Sequence, residues 1–217
     1  MIELIRVTKQ YSKGGIKDVS LRVGKGEWVN IVGRSGAGKT TLLRMVYAEV
    51  MPDVGEVIVG DYRLSSMRQR DIPAMRRQLG IVDQDLALIQ DRTVYENVML
   101  VGEVVGWTRR QSKAEALKVL NRVGLYRHLD SYPSQLSFGE QRRLAIARAL
   151  VGEPRALVAD EPLGSLDIET AGGILGLLSS IHARGTALLM TTHQPELFEE
   201  YPVRTVRIDR GQLVGER

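Results

Sequence analysis

The stretch Gly33–Thr40, GRSGAGKT, constrains this chain more than any other, because it matches the pattern G-x-x-x-x-G-K-[ST] completely. It follows Trp28–Val32, an apolar segment typical of a strand, and it precedes a helical run that starts at Thr41. In that context the glycines let backbone N–H groups surround phosphates, and the N-terminus of the helix favours an anion. The sequence therefore predicts a site for a nucleoside triphosphate where a strand meets a helix.

Two side chains of this phosphate loop have roles that the pattern predicts. Lys39 is placed to reach the β- and γ-phosphates, and Thr40 to bind Mg²⁺ through its hydroxyl. The residues expected to contact the nucleotide are Gly33, Arg34, Ser35, Gly36, Ala37, Gly38, Lys39, Thr40 and Thr41. The pattern alone does not separate kinases, GTPases, helicases and transporter ATPases, so the class of reaction depends on other residues.

A pair of acids follows an apolar segment in the last third of the chain. Ala156–Ala159 reads ALVA, which is typical of a buried strand, and Asp160 and Glu161 come directly after it. Ligands bind at the carboxyl ends of parallel strands in open α/β sheets. We expect Asp160 to hold the shell of Mg²⁺ and Glu161 to polarise a water molecule as a general base. Two solvated loop acids are the alternative, which the phosphate loop weakens because that loop needs a partner acid.

The order of apolar patterns predicts an α/β fold. Alternating segments near the start are typical of half-buried strands, whereas apolar strands and a helix alternate in the last third. These segments are Ile2–Val7, Val19–Val23, Ala156–Ala159, Ile174–Ile181 and Ala187–Met190. Such alternation predicts parallel strands joined by crossover helices. We expect one domain, with residues 1–84 and 153–217 forming the core and residues 85–152 a helical subdomain inserted into it.

Composition excludes several classes of function. The chain has no cysteine, which excludes disulfides and zinc sites built from thiolates. Its 43% hydrophobic and 26% charged residues suit a globular core. The net charge of +4 is typical of a solvated surface, so no nucleic-acid partner is expected. Met1–Arg6 does not resemble a secretory signal, and Asn97–Trp107 is far shorter than the roughly 20 residues of a membrane span.

The stretch SQLSFGEQRR predicts a helix that begins at Phe138. Ser137 and Glu140 match the capping box S-x-x-E, which places Ser137 at the N-cap and Phe138 at the first helical position. A helix N-terminus with a free hydroxyl can also bind an anion, so the stretch is both a capped helix and a candidate phosphate contact. The backbone at Phe138 does not require glycine. A second capping box, Thr108 with Gln111, predicts another helix.

The order of motifs along the chain resembles that of the nucleotide-binding subunits of ABC ATPases. The motifs are the phosphate loop, Gln84 in VDQD, Ser137–Glu140 in LSFGE, Asp160–Glu161, Asp167 in SLD and His193 in TTHQ. The resemblance spans essentially the whole chain. It implies a P-loop ABC ATPase core with an N-terminal antiparallel β-subdomain and an inserted helical subdomain. It also implies an Mg²⁺-dependent ATPase with ATP and Mg²⁺ as cofactors.

The same resemblance implies roles within one subunit. It makes Tyr11 the aromatic residue that stacks on adenine, although Tyr11 is alternatively an aromatic residue of a turn. It makes His193 the residue that contacts the γ-phosphate and helps to place the attacking water. Gln84 is implied to sense Mg²⁺ and to connect with a membrane partner. The implied catalytic residues are Glu161, His193 and Gln84, and the implied metal ligands are Thr40, Gln84 and Asp160.

Other residues are implied to act between two subunits. Ser137 and Gly139, with Glu140 beside them, are implied to contact the γ-phosphate bound by the other subunit. Asp167 is implied to cross the interface. The resemblance therefore predicts an ATP-dependent homodimer that closes over two nucleotides.

The chain departs from the family pattern at four positions. Phe138 replaces the first glycine of the signature, and Glu140 replaces its glutamine. Asp83 stands where an aromatic residue usually precedes the glutamine, and Gln194 stands where an acid is frequent. Phe138 supports a second hypothesis, in which ATP drives assembly and little of it is hydrolysed.

Two further segments, Arg70–Gly80 and Asp91–Val98, resemble the FtsE-type branch of cell-division ATPases. That resemblance implies an FtsX-type integral membrane protein as partner, a peripheral position at the cytoplasmic face of the plasma membrane, and control of cell-wall hydrolases. ATPases of lipoprotein-release and macrolide-efflux systems share much of the motif wording and are the alternative. The apolar segment Leu86–Ile89 either faces the membrane partner or belongs to the core.

Overall fold

The computed structural model describes residues 1–12 and 14–216, which form ten strands and six α-helices. The strands are β1 (Ile2–Gln10), β2 (Gly15–Val23), β3 (Trp28–Val32), β4 (Val54–Val59), β5 (Tyr62–Arg63), β6 (Leu79–Val82), β7 (Ala156–Ala159), β8 (Ala187–Thr192), β9 (Arg204–Asp209) and β10 (Gln212–Glu216). The helices are α1 (Lys39–Val46), α2 (Ile72–Arg76), α3 (Val94–Val104), α4 (Arg109–Arg122), α5 (Phe138–Leu150) and α6 (Ile168–His182).

The strands form two sheets of different kinds. The smaller sheet has the order β2-β1-β4-β5 and is antiparallel. The larger sheet has the order β10-β9-β3-β8-β7-β6, in which β9, β3, β8, β7 and β6 are parallel and β10 is antiparallel to β9. The α/β architecture with an N-terminal antiparallel sheet, which the sequence predicts, is confirmed.

The composition of the strands follows from what covers them. Strands β7 and β8 read ALVA and ALLMTT and are buried at every position, because helices or the second sheet cover both faces of the larger sheet. Strand β2 alternates, with Ile16, Val19, Leu21 and Val23 buried and most residues between them exposed, because only one of its faces packs on the core. The larger sheet is therefore the centre of the molecule.

Two apolar layers lie on opposite faces of the larger sheet. The first contains Ile2 and Val46 and joins this sheet to the smaller sheet and α1. The second contains Trp28, Leu144 and Ile174 and joins it to the helices. The indole Nε1 of Trp28 donates to Asn30 Oδ1 at 3.1 Å, so the tryptophan combines burial with a satisfied N–H. Trp28 is a packing residue of the second apolar layer.

Helices α3, α4 and α5 lie between β6 and β7 in the chain. The predicted capping boxes of α4, Thr108 with Gln111, and of α5, Ser137 with Glu140, are both confirmed. Helix α5 packs against α3, α4 and α6 and also against β6, so it connects the helical segment to the central sheet. Among the described residues, no helix is both long and apolar enough to cross a membrane.

Candidate active site

The parallel strands bring four predicted segments to one edge of the larger sheet. The phosphate loop follows β3, Gln84 follows β6, Asp160 and Glu161 follow β7, and His193 follows β8. A cleft of about 250 Å³ lies at this edge. It is lined by Tyr11, Gly15, Ser35, Gly36, Gly38, Lys39, Thr40, Thr41, Gln84, Glu161 and His193. Of these, Gly15 is a residue to which the sequence reasoning assigned no role in the site.

Glycines shape the phosphate loop for steric reasons. Gly38 has φ 105°, and a Cβ added there would lie 2.5 Å from Ile16 Cγ2. A Cβ at Gly33 would lie 2.4 Å from the carbonyl oxygen of Ile208. Larger residues would therefore force strands β2 and β9 away from the loop. Helix α1 starts at Lys39, directly after Gly38, so its free N–H groups point towards the cleft.

Lys39 is nearly buried, with 5% of its side chain exposed. Its Nζ donates to the carbonyl oxygens of Gly33 at 2.9 Å and Arg34 at 3.3 Å. Glu161 Oε1 lies 3.7 Å from the same nitrogen. The ammonium group is thus held inside the loop by backbone oxygens and by one carboxylate.

His193 lies between a donor and an acceptor, which determines its tautomer. Lys39 Nζ, which can only donate, lies 3.5 Å from Nδ1, and the carboxylate oxygen Oε1 of Glu161 lies 2.5 Å from Nε2. In the neutral ring, Nδ1 therefore accepts and Nε2–H donates. Lys39, Glu161 and His193 form one hydrogen-bonded cluster that draws on three elements of the fold.

Asp160 has one satisfied oxygen and one free oxygen. It is 3% exposed, and its Oδ1 accepts a hydrogen bond from the Thr191 hydroxyl. Its Oδ2 is buried, and no described residue donates to it. A buried carboxylate oxygen without a donor is the kind of group that a hydrated cation satisfies. Across residues 1–12 and 14–216, no group of three or more histidines and acids is close enough to hold a metal by itself.

Thr191 is a residue that the sequence reasoning missed. Its Oγ1 donates to Asp160 and accepts the backbone N–H of Glu161 at 2.9 Å, so one hydroxyl orients both acids. Glu161 has φ 49°, an uncommon conformation for a residue other than glycine, and this hydrogen bond helps to hold it. The parallel pairing of Ala159 with Met190 brings the next residue of each strand side by side, and no pattern in the sequence alone indicates this register.

Tyr11 and Gln84 lie at the rim of the cleft. Tyr11 is 47% exposed, and its backbone N–H donates to Gly14 O at 3.0 Å in a turn. Tyr11 is therefore both an aromatic residue of a turn and a neighbour of the phosphate loop. The backbone N–H of Gln84 donates to Asp83 Oδ1 at 2.8 Å, and Gln84 lines the cleft.

The signature residues lie outside this cleft, at the first turns of α5 and α6. The expectation of a free hydroxyl at Ser137 is wrong, because it donates to Glu140 Oε2 at 2.8 Å and accepts the Glu140 N–H at 3.3 Å. The hydrogen bonds from Ser137 to this carboxylate lower the pKa of Glu140. A Cβ at Gly139 would lie 2.4 Å from Thr170 Cγ2, so the two helix starts touch.

Asp167 caps helix α6 and is not part of the cleft. Its carboxylate accepts the backbone N–H of Thr170 at 2.9 Å and the Thr170 hydroxyl at 2.6 Å. Both hydrogen bonds lower the pKa of Asp167, and the one from the Thr170 hydroxyl has the larger effect. Beside these caps, the side chains of Phe138 and Ile168 are 79% and 85% exposed. The starts of α5 and α6 therefore carry two apolar side chains with no cover in a single chain.

Arg142 is a second residue that the sequence reasoning missed. It is buried on α5, and its Nη2 donates to the carbonyl oxygen of Gly164 at 3.2 Å. Its Nε and Nη1 have no hydrogen-bond partner among the described residues, and burial lowers the pKa of its guanidinium. The available signal was its place one turn before the buried Ile146 on the inner face of α5. Arg142 connects the signature helix to the segment after Glu161.

Known proteins are similar to this chain in sequence. The family model of the ABC transporter matches residues 16–164. The cell division ATP-binding protein FtsE of Streptococcus pneumoniae serotype 2 is 42% identical over 216 residues, which covers 99% of this chain and 94% of that protein. The methionine import ATP-binding protein MetN of Cupriavidus pinatubonensis is 39% identical over 222 residues, which covers all of this chain and 64% of MetN.

Solved structures agree with the sequence comparison. A dimeric structure of a post-hydrolysis state of the ATP-binding cassette MJ0796, bound to ADP and Pi, superposes with a TM-score of 0.89 and 32% sequence identity. The superposition covers 100% of this chain and 98% of that chain. The resemblance to ABC ATPases is thereby confirmed. The chain belongs to the ABC transporter family, and its fold is that of an ABC ATPase.

Proposed function

We propose that the protein is the ATP-binding and ATP-hydrolysing subunit of a membrane-associated ABC complex, of the FtsE type that acts in cell division. One observation carries the catalytic part, namely the cluster of Lys39, Glu161 and His193 at the phosphate loop. The cell-division part is supported by 42% identity to FtsE over nearly the full length of both chains. It is also supported by the resemblance of Arg70–Gly80 and Asp91–Val98 to that branch.

Binding of the nucleotide begins with groups that the loop already holds. The N–H groups at the start of α1 and of the loop surround the phosphates, and Lys39 Nζ exchanges its carbonyl partners for phosphate oxygens. Mg²⁺ suits the free Oδ2 of Asp160, the Thr40 hydroxyl and the side chain of Gln84. When bound, Mg²⁺ neutralises charge on the β- and γ-phosphates. Tyr11 offers its ring to the base at the rim of the cleft.

In hydrolysis, Glu161 is the general base that takes the proton. Its carboxylate accepts a proton from a water molecule as that water's oxygen attacks the γ-phosphorus, and the bond to the bridging oxygen of ADP breaks. The Nε2–H of His193 holds the carboxylate in place by a hydrogen bond. The Thr191 hydroxyl accepts the backbone N–H of Glu161, so hydrogen bonds hold both the carboxylate and the backbone of the base.

A second copy of the chain completes the proposed site. Ser137, Gly139 and Asp167 lie away from the cleft of their own subunit, so they reach a nucleotide only in a partner. The exposed side chains of Phe138 and Ile168 beside them give this face an apolar area to bury. The dimeric ABC cassettes among the solved structures support this homodimer.

The membrane partner is proposed to dock in a groove beside the segment after Gln84. This groove of about 840 Å³ is lined by Leu86, Ala87, Val104 and Trp107, among others, and Val104 is 71% exposed. Leu86 and Ala87 have φ 54° and 45°, and Arg148 Nη1 of α5 donates to the Ala87 carbonyl oxygen at 2.5 Å. A partner that moves this segment therefore also moves the signature helix.

The catalytic part is tested by turnover measurements with purified protein. We expect Mg²⁺-dependent ATP hydrolysis that falls by about 10²-fold or more in Lys39→Ala, because the phosphate charge loses its buried cation. Lys113→Ala, an exposed lysine on α4, is the matched control and leaves the rate unchanged. Equal rates in both variants would overturn the assignment, and tight ATP binding with negligible turnover in the unmodified protein would favour the assembly switch.

The cell-division part is tested in the source organism. Deletion of the gene is expected to disturb division, and the protein is expected to co-purify with an FtsX-type integral membrane protein at the cytoplasmic face of the plasma membrane. The 39% identity to MetN favours a second candidate, an ATPase of an import or efflux system. Normal division together with a loss of substrate transport would support this candidate and reject the first.

A further inference from the structure

A second cleft lies at the opposite edge of the larger sheet from the phosphate loop. It has a volume of about 750 Å³ and is formed by the end of α4, the segment before β7 and the segment before β8. Thr186 lines it and directly precedes β8, whereas His193 follows the other end of that strand. The six residues of β8 span roughly 20 Å, so the two clefts are separate sites.

The charges in this cleft do not cancel. Its charged lining consists of Glu115, Lys118, Arg122, Glu153, Arg155 and Arg184. Lys118 Nζ lies 3.0 Å from Glu115 Oε2 and 2.9 Å from Glu153 Oε1, so both acids pair with this one lysine. Among the described residues, no carboxylate lies within ion-pair distance of any of the three arginines. The lining therefore holds four cations and two carboxylates, so the cleft is positive, and none of its three guanidinium groups has an ion-pair partner among the described residues.

Arg122 is the least exposed of the three arginines. Its Nε and Nη2 are buried, and no described residue accepts a hydrogen bond from them. Burial, and after it the charge of Arg184, lower the pKa of the Arg122 guanidinium. Buried guanidinium N–H groups without acceptors are unfavourable unless an anion supplies those acceptors. The site is thus incomplete in a way that a bound anion corrects.

We propose that Arg122, Arg155 and Arg184 form an anion site, which we call the basic cleft, and that it binds a small molecule bearing a phosphate group. A guanidinium group donates two parallel hydrogen bonds to phosphate oxygens. The positive charge of three guanidinium groups is balanced better by a phosphate dianion than by a carboxylate, which carries one charge. The volume lies in the usual range for small-molecule sites. Helices α4 and α6 end here with their carbonyl groups, so the arginines alone attract the anion.

The test uses inorganic pyrophosphate and the full chain. The Lys39→Ala variant removes the main phosphate ligand of the phosphate loop, and calorimetric titration then reports the basic cleft. We expect one equivalent of pyrophosphate to bind to Lys39→Ala. Adding Arg122→Gln with Arg184→Gln is expected to weaken this binding at least about tenfold, because two of three charged partners are lost.

Matched variants keep the result interpretable. Arg110→Gln removes an exposed arginine from the same helix and is expected to leave the affinity within about twofold. Arg155→Gln and Arg184→Gln, each alone, change exposed residues and are expected to fold like the parent and to weaken binding severalfold. No binding to Lys39→Ala, or equal affinity in all variants, overturns the proposal.

A second arm distinguishes the source of the phosphate. Vesicles of phosphatidylglycerol and of phosphatidylcholine are sedimented with Lys39→Ala and with the variant that also carries Arg122→Gln and Arg184→Gln. Arginine-dependent binding to phosphatidylglycerol alone identifies a lipid headgroup. Arginine-dependent binding of pyrophosphate without vesicle binding identifies a soluble phosphate compound.

Discussion

His193 Nε2 lies 2.5 Å from Glu161 Oε1, across the ends of two neighbouring parallel strands. On the other side of the ring, Nδ1 accepts a hydrogen bond from Lys39 Nζ, at 3.5 Å. The imidazole therefore links the cation of the phosphate loop to the acid that we assign as the base. Substitution at any of the three residues changes the surroundings of the other two.

The first prediction concerns Glu161→Gln. The amide cannot take a proton from water, so we expect ATP hydrolysis to fall by about 10²–10⁴-fold while ATP binding persists. The variant is expected to accumulate as an ATP-bound dimer in size-exclusion chromatography. Glu200→Gln, an exposed acid after β8, is the control and retains the parental rate. Normal turnover in Glu161→Gln contradicts the role assigned to this carboxylate.

The second prediction concerns Thr191→Val, which keeps the shape of the side chain and removes its hydroxyl. Buried Asp160 loses a donor and the Glu161 N–H loses its acceptor, so we expect the free energy of unfolding to fall by about 1–3 kcal/mol. ATP hydrolysis is expected to fall as well. Urea denaturation measures the first effect, and Thr205→Val in β9 is the control, with a change of about 0.5 kcal/mol or less. An unchanged unfolding midpoint in Thr191→Val would rule out this role of the hydroxyl.

The third prediction concerns Phe138→Ala. Because the ring is 79% exposed in a single chain, the free energy of unfolding of the monomer is expected to change by about 0.5 kcal/mol or less. Because we propose that the ring is buried against a second copy, we expect the dissociation constant of the ATP-dependent dimer in the Glu161→Gln background to rise by about tenfold. Analytical ultracentrifugation measures this dissociation constant, and Tyr126→Ala is the control at an exposed aromatic residue. A stronger dimer, or faster ATP turnover in Phe138→Ala, would instead identify Phe138 as a brake.

The fourth prediction concerns the pH dependence of the α5 cap. The pKa of Glu140 is lowered from its usual value of 4.5 by hydrogen bonds from Ser137. The folded state therefore prefers the charged carboxylate, so its contribution to stability is present above the unfolded pKa and is lost as pH falls through the folded pKa. Glu140→Gln keeps the capping box but does not titrate.

Denaturation of the two proteins at several pH values measures this contribution. We expect any stability advantage of the parent over Glu140→Gln at neutral pH to disappear as the pH falls through the folded pKa of Glu140, which lies below 4.5. Ser137→Ala is expected to cost about 1 kcal/mol at neutral pH, because the N-cap hydroxyl is lost. A difference between parent and Glu140→Gln that is independent of pH would contradict the assigned cause.

Local patterns were sufficient for much of the fold. The phosphate loop, the strand before Asp160 and the capping box at Ser137 each depend on contacts within a few residues, so their sequence is enough to predict them. The alternation of apolar strands and helices predicted a parallel sheet, because continuous apolar strands need cover on both faces. The same patterns placed Glu161 and His193 after strands of that sheet, whereas Gln84 was implied only by the resemblance to ABC ATPases.

By itself the sequence determined the phosphate loop, the order of its partner motifs and the class of fold. The tertiary structure decided which side chains meet. Thr191 reaches Asp160 because of the register of two strands, and Arg142 reaches Gly164 because α5 packs beside β6 and α6. Arg122, Arg155 and Arg184 gather from three separate segments. Backbone conformation follows from near neighbours, whereas the partner of a buried polar side chain depends on packing between elements far apart in the chain.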